Sequence, residues 1–247
     1  MIYLYHKFIA YPLYNGFIYL FDVIPWLDAG MAVILFTIII KLILFPLAKK
    51  SIVTQLMMKK IEPELKLIRE KFKGDNQKQA SETLVLYRKY GVNPFSSFLL
   101  ILIQLPILIA LYSIFYSYGL PEVKLDLLYS FVQAPVINMH FLGILDIAKS
   151  SVILAILASI SQYYQIKLSV PTPPPRKDGE KPNFQEEMAR SMGTNMKYIF
   201  PIMVFFLSYK FSAALPLYWT VSNLFMIGQE LFVKRKLEKK INGVSVL

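Results

Sequence analysis

The chain has 247 residues, 55% of them hydrophobic, and its mean hydropathy of +0.47 excludes an ordinary soluble domain. Its formal net charge is +11, but the basic residues cluster between apolar runs, which is typical of a membrane protein rather than a nucleic-acid-binding protein. The sequence contains no cysteine, so it offers no disulfide, zinc–thiolate or thiol chemistry.

The N-terminal segment, residues 1–28, is rich in Tyr, Phe and Trp and is interrupted by Pro12 and Pro25. Aromatic side chains prefer the membrane–water interface, so we predict an amphipathic helix that lies on the membrane; a first spanning helix is the alternative. Lys7 is the segment's one basic residue, and no small-residue cleavage motif follows an apolar run. We therefore expect neither a cleavable signal nor a transit peptide, which favours a bacterial plasma membrane.

We predict an all-α membrane protein with five transmembrane helices, an N-terminal interfacial helix and a cytoplasmic helical hairpin. The first three predicted spans are residues 29–49, 94–118 and 150–167. Residues 193–233 hold the fourth and fifth spans as a tight hairpin, because only the three residues 212–214 separate their apolar runs.

The basic residues predict the orientation. Of the 27 Lys and Arg, 22 lie after the first, third and fifth spans or at the span ends beside those segments. The positive-inside rule places these segments in the cytoplasm. We therefore expect the N-terminus outside the cell and the C-terminus in the cytoplasm.

The first cytoplasmic segment, residues 50–93, is predicted to be an antiparallel helical hairpin. Its apolar residues recur every three or four positions as one stripe, and Lys73-Gly74-Asp75-Asn76 is typical of a helix stop followed by a new N-cap. We expect Leu84 and Tyr87 to share a face of the second helix. The predicted contact surface for a substrate consists of Met57, Met58, Lys59 and Lys60. The alternative is a solvated basic face that touches anionic lipid.

The remaining segments are connections. Residues 119–149 are predicted to rest on the outer surface as a loop. Residues 168–192 form a cytoplasmic loop, whose stretch SVPTPPPRKDGEKPN (169–183) is typical of a disordered or extended linker. Residues 234–247 are a basic cytoplasmic tail.

Lys41 lies inside the first predicted span, where a charge costs a few kcal/mol and by default suggests a function. It precedes Lys49 by eight residues, about 12 Å along a helix, so a snorkelling anchor is the alternative. Pro46 cannot donate to the carbonyl of Leu42, which releases a backbone acceptor beside Lys41. Glu230, near the cytoplasmic end of the last span, is the one carboxylate within the predicted spans. We therefore expect either water or a negatively charged ligand to stabilise the Lys41 ammonium.

Other spans supply polar side chains. Gln104 lies in the second span, Ser161, Gln162 and Gln165 lie in the third, and Trp219 and Asn223 are four apart in the fifth and share a face. These residues either line a wet cavity with Lys41 and Thr37 or simply join helices by hydrogen bonds.

No catalytic, metal or cofactor site is predicted. His6 and His140 lack metal-ligand spacing, and the sequence shows no phosphate loop, nucleophile elbow or paired intramembrane carboxylates. We therefore expect the protein not to be an enzyme and to need no cofactor.

Three stretches carry a resemblance to a known family: IIIKLILFPLAKKS (38–51), YGVNPFSSFLLILIQLPILIALY (90–112) and MKYIFPIMVFFLSYKFSAALPLYWTVSNLFMIGQE (196–230). They resemble the YidC family of membrane protein insertases, in a short form without its large outer domain. The resemblance implies a hydrophilic groove open to the cytoplasm and lipid, faced by Lys41, Gln165 and Trp219. Gln162 is one turn from Gln165, so the choice between them stays open.

One residue departs from the family's pattern. Family members usually carry arginine where this chain has Lys41. Arginine stays protonated in almost any environment, whereas a lysine in a dry one can lose its proton.

We therefore predict an insertase whose substrates, nascent membrane proteins, pass a polar tail by Lys41, Gln104, Gln165 and Asn223, with Thr37 and Trp219 also lining the groove. Other expected partners are the lipid bilayer and, left open, the Sec translocon and the ribosome; no direct nucleic-acid recognition is expected. The alternatives are a small channel or secondary transporter that uses Lys41 for an anion, and a passive chaperone.

Overall fold

The computed structural model describes residues 2–93, 96–169 and 184–244, and these are mostly helical, as predicted. The helices are α1 (Ile2–Tyr5), α2 (Tyr11–Val23), α3 (Ala29–Ile43), α4 (Phe45–Lys71), α5 (Asn76–Lys89), α6 (Ser96–Tyr112), α7 (Val152–Ser169), α8 (Phe184–Lys210) and α9 (Ala214–Val244). Short π-helical turns occupy His6–Ala10 and Ser113–Ser117, and a 3-10 turn occupies Leu125–Leu127. Two short strands, β1 (His140–Phe141) and β2 (Leu145–Asp146), pair antiparallel; the sequence reasoning did not foresee them.

Length and composition single out one candidate for crossing a membrane among the described residues. No individual described helix is both long enough and apolar enough to cross a membrane. The consecutive helices α3 and α4, which are divided at Leu44, meet both criteria together. Pro46 stands in the first turn of α4, where its missing N–H is tolerated. The number of spans stays a prediction.

The chain divides into two compact units. The first comprises Met1–Ile43 and Gln104–Gly228, and the second comprises Leu44–Ile103 and Gln229–Leu247.

The core of the first unit begins at α2. Its residues Tyr14, Phe17, Ile18 and Phe21 recur at helical spacing and are buried. The ring of Phe17 makes edge-to-face contacts with Phe36 of α3 and with Phe115, at centroid distances of 5.4 and 5.7 Å. The aromatic N-terminal segment therefore contributes directly to the packing of this unit.

Asp28 fixes the start of α3. One carboxylate oxygen accepts a hydrogen bond from the Met31 N–H at 2.8 Å, as an N-cap does, and the other accepts from the Leu142 N–H at 3.0 Å. The β1–β2 turn thereby lies against α3, and Phe141 packs directly on Gly30. A Cβ at Gly30 would lie 2.3 Å from Phe141 Cδ2, so this approach requires glycine.

The predicted outer loop, 119–149, is also held by α2. The Asn15 side chain donates to the Leu127 carbonyl at 2.9 Å and accepts from the Tyr129 N–H at 2.7 Å. Tyr14 Oη accepts from the Lys124 N–H at 2.9 Å. The loop is thus an ordered part of the first unit, since buried polar groups of α2 satisfy its backbone.

Helices α7 and α8 pack against each other, and the small residues Ala155 and Ala158 of α7 are fully buried. Ser159 Oγ donates to the Pro201 carbonyl across this contact at 2.8 Å. Ser151 caps α7 by accepting from the Leu154 N–H.

The second unit contains the helical hairpin. Asp75 caps α5 by accepting from the Lys78 N–H at 3.0 Å, as the sequence predicted. Ile61 and Leu65 of α4 are buried against Leu86 of α5, which confirms that part of the predicted stripe. On α5 the buried residue is Leu86, and Tyr87 packs against the same cluster, whereas Leu84 is 56% exposed.

Two predicted connections extend beyond the described residues. All but the first residue of the predicted linker 169–183 lies outside them. The predicted basic tail is helical as far as it is described, because α9 continues to Val244.

A candidate functional site around Lys41

Lys41 is held by a chain of hydrogen bonds within the first unit. Its Nζ donates to Gln104 Oε1 at 2.9 Å and lies 3.3 Å from Met226 Sδ. Gln104 Nε2 donates in turn to the hydroxyl of Tyr218. An ammonium can only donate, and the Tyr218 hydroxyl takes the amide N–H, so the Gln104 carbonyl oxygen faces Lys41. These four residues are named the Lys41 cluster.

The Lys41 cluster draws on three helices, and two of its residues lie at matching distances from the starts of their helices. Lys41 lies 12 residues after the start of α3, and Met226 lies 12 residues after the start of α9, which is about 18 Å in each case. Gln104 belongs to α6. The apolar sequence around each residue explains why the cluster is recessed: Lys41 is 7% exposed and Tyr218 is 2% exposed.

A second set of polar residues joins α9 to α7. Trp219 Nε1 donates to Gln162 Oε1 at 2.7 Å, and Asn223 Nδ2 donates to Ser161 Oγ at 3.1 Å. Gln162 Nε2 donates to Gln165 Oε1 at 3.2 Å. These five residues are named the Trp219 cluster. The predicted shared face of Trp219 and Asn223 is confirmed.

The two clusters occupy neighbouring stripes of one helix. Tyr218 and Met226 face Lys41 and Gln104, whereas Trp219 and Asn223, one position from Tyr218 and four apart, face α7. Successive helical residues differ by about 100° in direction, so adjacent positions of α9 serve both clusters. The structure therefore brings Lys41 and Gln104 together, and separately Trp219, Asn223 and Gln165.

Exposure differs among the predicted groove residues. Thr37 and Asn223 are buried, at 0% and 2% exposed, and Thr37 Oγ1 donates to the Val33 carbonyl of its own helix at 2.6 Å. Gln104, Gln165 and Trp219 are half-buried. For Asn223 and Trp219 the structure has the interhelical hydrogen bonds of the alternative interpretation. Of the two glutamines, Gln162 contacts Trp219, and Gln165 contacts Gln162.

The predicted hairpin contact residues belong to the second unit. Lys59 and Lys60 are exposed, and Met57 is half-buried. Met58 packs against the hairpin core of Ile61, Leu65 and Leu86, so part of its surface is already covered.

Sequence reasoning missed Tyr218 and Met226. Both read as ordinary members of an apolar span, and their partners lie 114 and 185 positions away. One signal was available: they are eight apart, so they share a face of α9 beside the Trp219–Asn223 face.

The Lys41 cluster combines an ammonium, an amide and a phenol hydroxyl in surroundings of low polarity. Such a set can bind a carboxylate or a peptide group by charge-assisted and ordinary hydrogen bonds.

Comparison with known proteins indicates the family of the chain. Residues 20–240 match the family described as 60Kd inner membrane protein. The chain is 36% identical over 235 residues to the membrane protein insertase YidC of Clostridium tetani, which covers 95% of this chain and 90% of that protein.

Two further relatives differ in length. The chain is 31% identical to the insertase MisCA of Bacillus subtilis, over 92% of this chain and 78% of that protein. It is 33% identical to the YidC insertase of Wolinella succinogenes, over 90% of this chain but only 37% of that longer protein. The match to the family over most of its length shows that this chain belongs to the YidC family of membrane protein insertases.

Proposed function

We propose that this chain inserts newly made membrane proteins into a bacterial plasma membrane, without a cofactor or nucleotide, by giving their polar tails a hydrogen-bonding passage. The observation that carries the proposal is the Lys41 ammonium, which is bonded to the Gln104 amide about 18 Å along an apolar helix. Placing such a charge among lipid chains costs free energy, so its presence there indicates a function, such as binding a polar ligand.

In this mechanism the tail of the substrate reaches the Lys41 cluster from the side on which Gln104 is partly exposed. Lys41 attracts an acidic tail, and the Gln104 amide exchanges its hydrogen bonds with the tail's peptide groups. Gln165 and Trp219, both half-buried, offer further polar contacts, while Asn223 joins α9 to α7 and Thr37 bonds within its own helix. The groove open to the cytoplasm is part of this proposal.

The apolar segment of the substrate supplies the free energy. About 20 residues at roughly 0.3–0.6 kcal/mol each contribute about 6–12 kcal/mol on insertion scales, whereas an aspartate at the membrane centre costs about 3 kcal/mol. Insertion of a segment with one or two acidic tail residues is therefore favourable overall. The protein has only to lower the barrier to moving the tail.

The orientation and the partners form part of the same proposal. The N-terminus lies outside and the C-terminus in the cytoplasm, because 22 of 27 basic residues would then be cytoplasmic. The hairpin of α4 and α5 receives the substrate through the half-buried Met57 and the exposed Lys59 and Lys60. The Sec translocon and the ribosome are candidate partners of this hairpin.

Reconstitution tests the proposal. Purified protein in sealed vesicles should make a single-span substrate resistant to added protease, whereas empty vesicles should not. A chaperone without insertase activity would keep the substrate soluble but protease-sensitive. Solute flux through the same vesicles would instead indicate the channel or transporter, and an insertase should show little.

A further inference from the structure

The structure contains a cavity of about 280 Å³ within the first unit, away from the Lys41 cluster. Liquid water occupies about 30 Å³ per molecule, so the cavity has room for a small organic group. It is named the Lys210 cavity, and its lining includes Tyr112, Phe115, Tyr116, Ser150, Lys210 and Phe211.

The Lys210 cavity lies where several predicted spans end. Tyr116 is near the end of the second span, Ser150 begins the third, and Lys210 is near the end of the fourth. All three positions belong to the same predicted side of the membrane, so the predicted spans place the cavity at the level of the lipid headgroups whichever way the chain is oriented. Tyrosine and lysine side chains are both favoured at that level.

Contacts around the Lys210 cavity keep its walls in place. The Tyr112 ring stacks on Tyr116 at 5.1 Å and meets Phe211 edge-to-face at 5.4 Å. Next to the lining residues Ser150 and Ser212, the Ala213 N–H donates to the Lys149 carbonyl at 2.7 Å. These bonds link the segments that line the cavity, so it is a formed feature of the fold.

Charge distinguishes this cavity from an apolar packing defect. Lys210 is exposed at its rim, and among the described residues no carboxylate lies within ion-pair distance of it. Lys149, which precedes the lining residue Ser150, has its Nζ 3.2 Å from Asp146 Oδ2 in an ion pair. Lys210 is therefore the cation available to a ligand, and the Ser150 hydroxyl can donate beside it.

We propose that the Lys210 cavity binds one anionic phospholipid, with its phosphate at Lys210 and its glycerol and first acyl carbons against the aromatic wall. A lysine and a hydroxyl recognise phosphate, and the rings of Tyr112 and Tyr116 provide an apolar body with polar edges at the headgroup level. The site goes beyond the proposed insertase function and is independent of the passage at Lys41.

Native mass spectrometry of the detergent-purified full chain tests the site with phosphatidylglycerol and phosphatidylcholine as probes. The wild type should retain one phosphatidylglycerol and little phosphatidylcholine. Lys210→Gln should weaken retention about ten- to a hundredfold, as expected for a charge-assisted bond. Lys124→Gln is the matched control, and it should stay within the roughly fivefold effect of a general surface charge.

Two further experiments complete the test. Tyr116→Ala, at a residue 73% exposed, should also weaken retention while the melting temperature in detergent stays unchanged. Excess glycerol phosphate should not displace the lipid; displacement would indicate a site for free phosphate and overturn the proposal. Equal losses for Lys210→Gln and Lys124→Gln, or equal retention of both lipids by the wild type, would also overturn it.

Discussion

Replacing Lys41 by methionine should slow the insertion of substrates with acidic tails and leave substrates with neutral tails nearly unaffected. Methionine keeps most of the apolar stem of lysine and removes the ammonium that lies 2.9 Å from Gln104 Oε1. The expected defect therefore depends on the charge of the tail.

The size of the effect follows from the position of Lys41. Two unit charges 4 Å apart attract by about 1 kcal/mol in water and by about 4 kcal/mol at an effective dielectric constant of 20. Lys41 is 7% exposed, so the upper part of this range applies before desolvation of the tail is subtracted. A net 1.5–3 kcal/mol, typical of a charge-assisted hydrogen bond, corresponds to about a ten- to a hundredfold lower insertion rate.

The assay is protease protection in vesicles with one substrate whose tail carries two aspartates, two asparagines or two lysines. Lys41→Arg should retain the preference for acidic tails, because the guanidinium keeps the charge. Lys41→Met should lose it. Melting temperature in detergent serves as the folding control for both variants.

Two results would refute this reasoning. If Lys41→Met slows acidic and neutral tails equally, Lys41 acts by holding the helices together. If Lys41→Met leaves both rates at the wild-type level, Lys41 has no part in insertion, and a snorkelling anchor explains it better.

Three other substitutions test neighbouring parts of the account. Tyr218→Phe removes the partner that orients the Gln104 amide, so insertion of acidic tails should fall about two- to tenfold in the vesicle assay without loss of fold. Gln162→Leu should lower the melting temperature more than Gln165→Leu, because Gln162 accepts the indole N–H of Trp219. Gly30→Ala should destabilise the fold by about 1–3 kcal/mol in detergent unfolding, because the new Cβ would overlap Phe141, whereas Gly16→Ala, which meets only an ordinary 3.6 Å contact, should not.

The sequence predicted those features that depend on local spacing. Trp219 and Asn223 share a face because they are four residues apart. Asp75 caps α5 because its carboxylate accepts a hydrogen bond from the Lys78 N–H, which lies in the first turn and has no partner within the helix. Polar residues inside apolar runs indicated Lys41 and the third-span glutamines as candidates, and the family resemblance implied that Lys41, Gln165 and Trp219 face one groove. These inferences need no knowledge of how distant segments meet.

Features that depend on distant segments were out of reach. Lys41 and Gln104 are 63 positions apart, and nothing in either span specifies that their side chains meet. The contact of Phe141 with Gly30 depends on a turn inside a 31-residue loop that showed no strand periodicity. Leu84 and Leu86 are both plausible core residues of α5, and only the position of α4 decides between them.

The most direct test of the central claim is whether a substrate tail passes beside the Lys41 cluster. A photoreactive amino acid at Met226, which touches Lys41, should crosslink to the acidic tail of a substrate trapped during insertion. The same probe at Leu224, 57% exposed on another side of α9, should crosslink mainly to lipid. Tail crosslinks at Leu224 and none at Met226 would contradict the account, because the tail would then cross the membrane outside the protein.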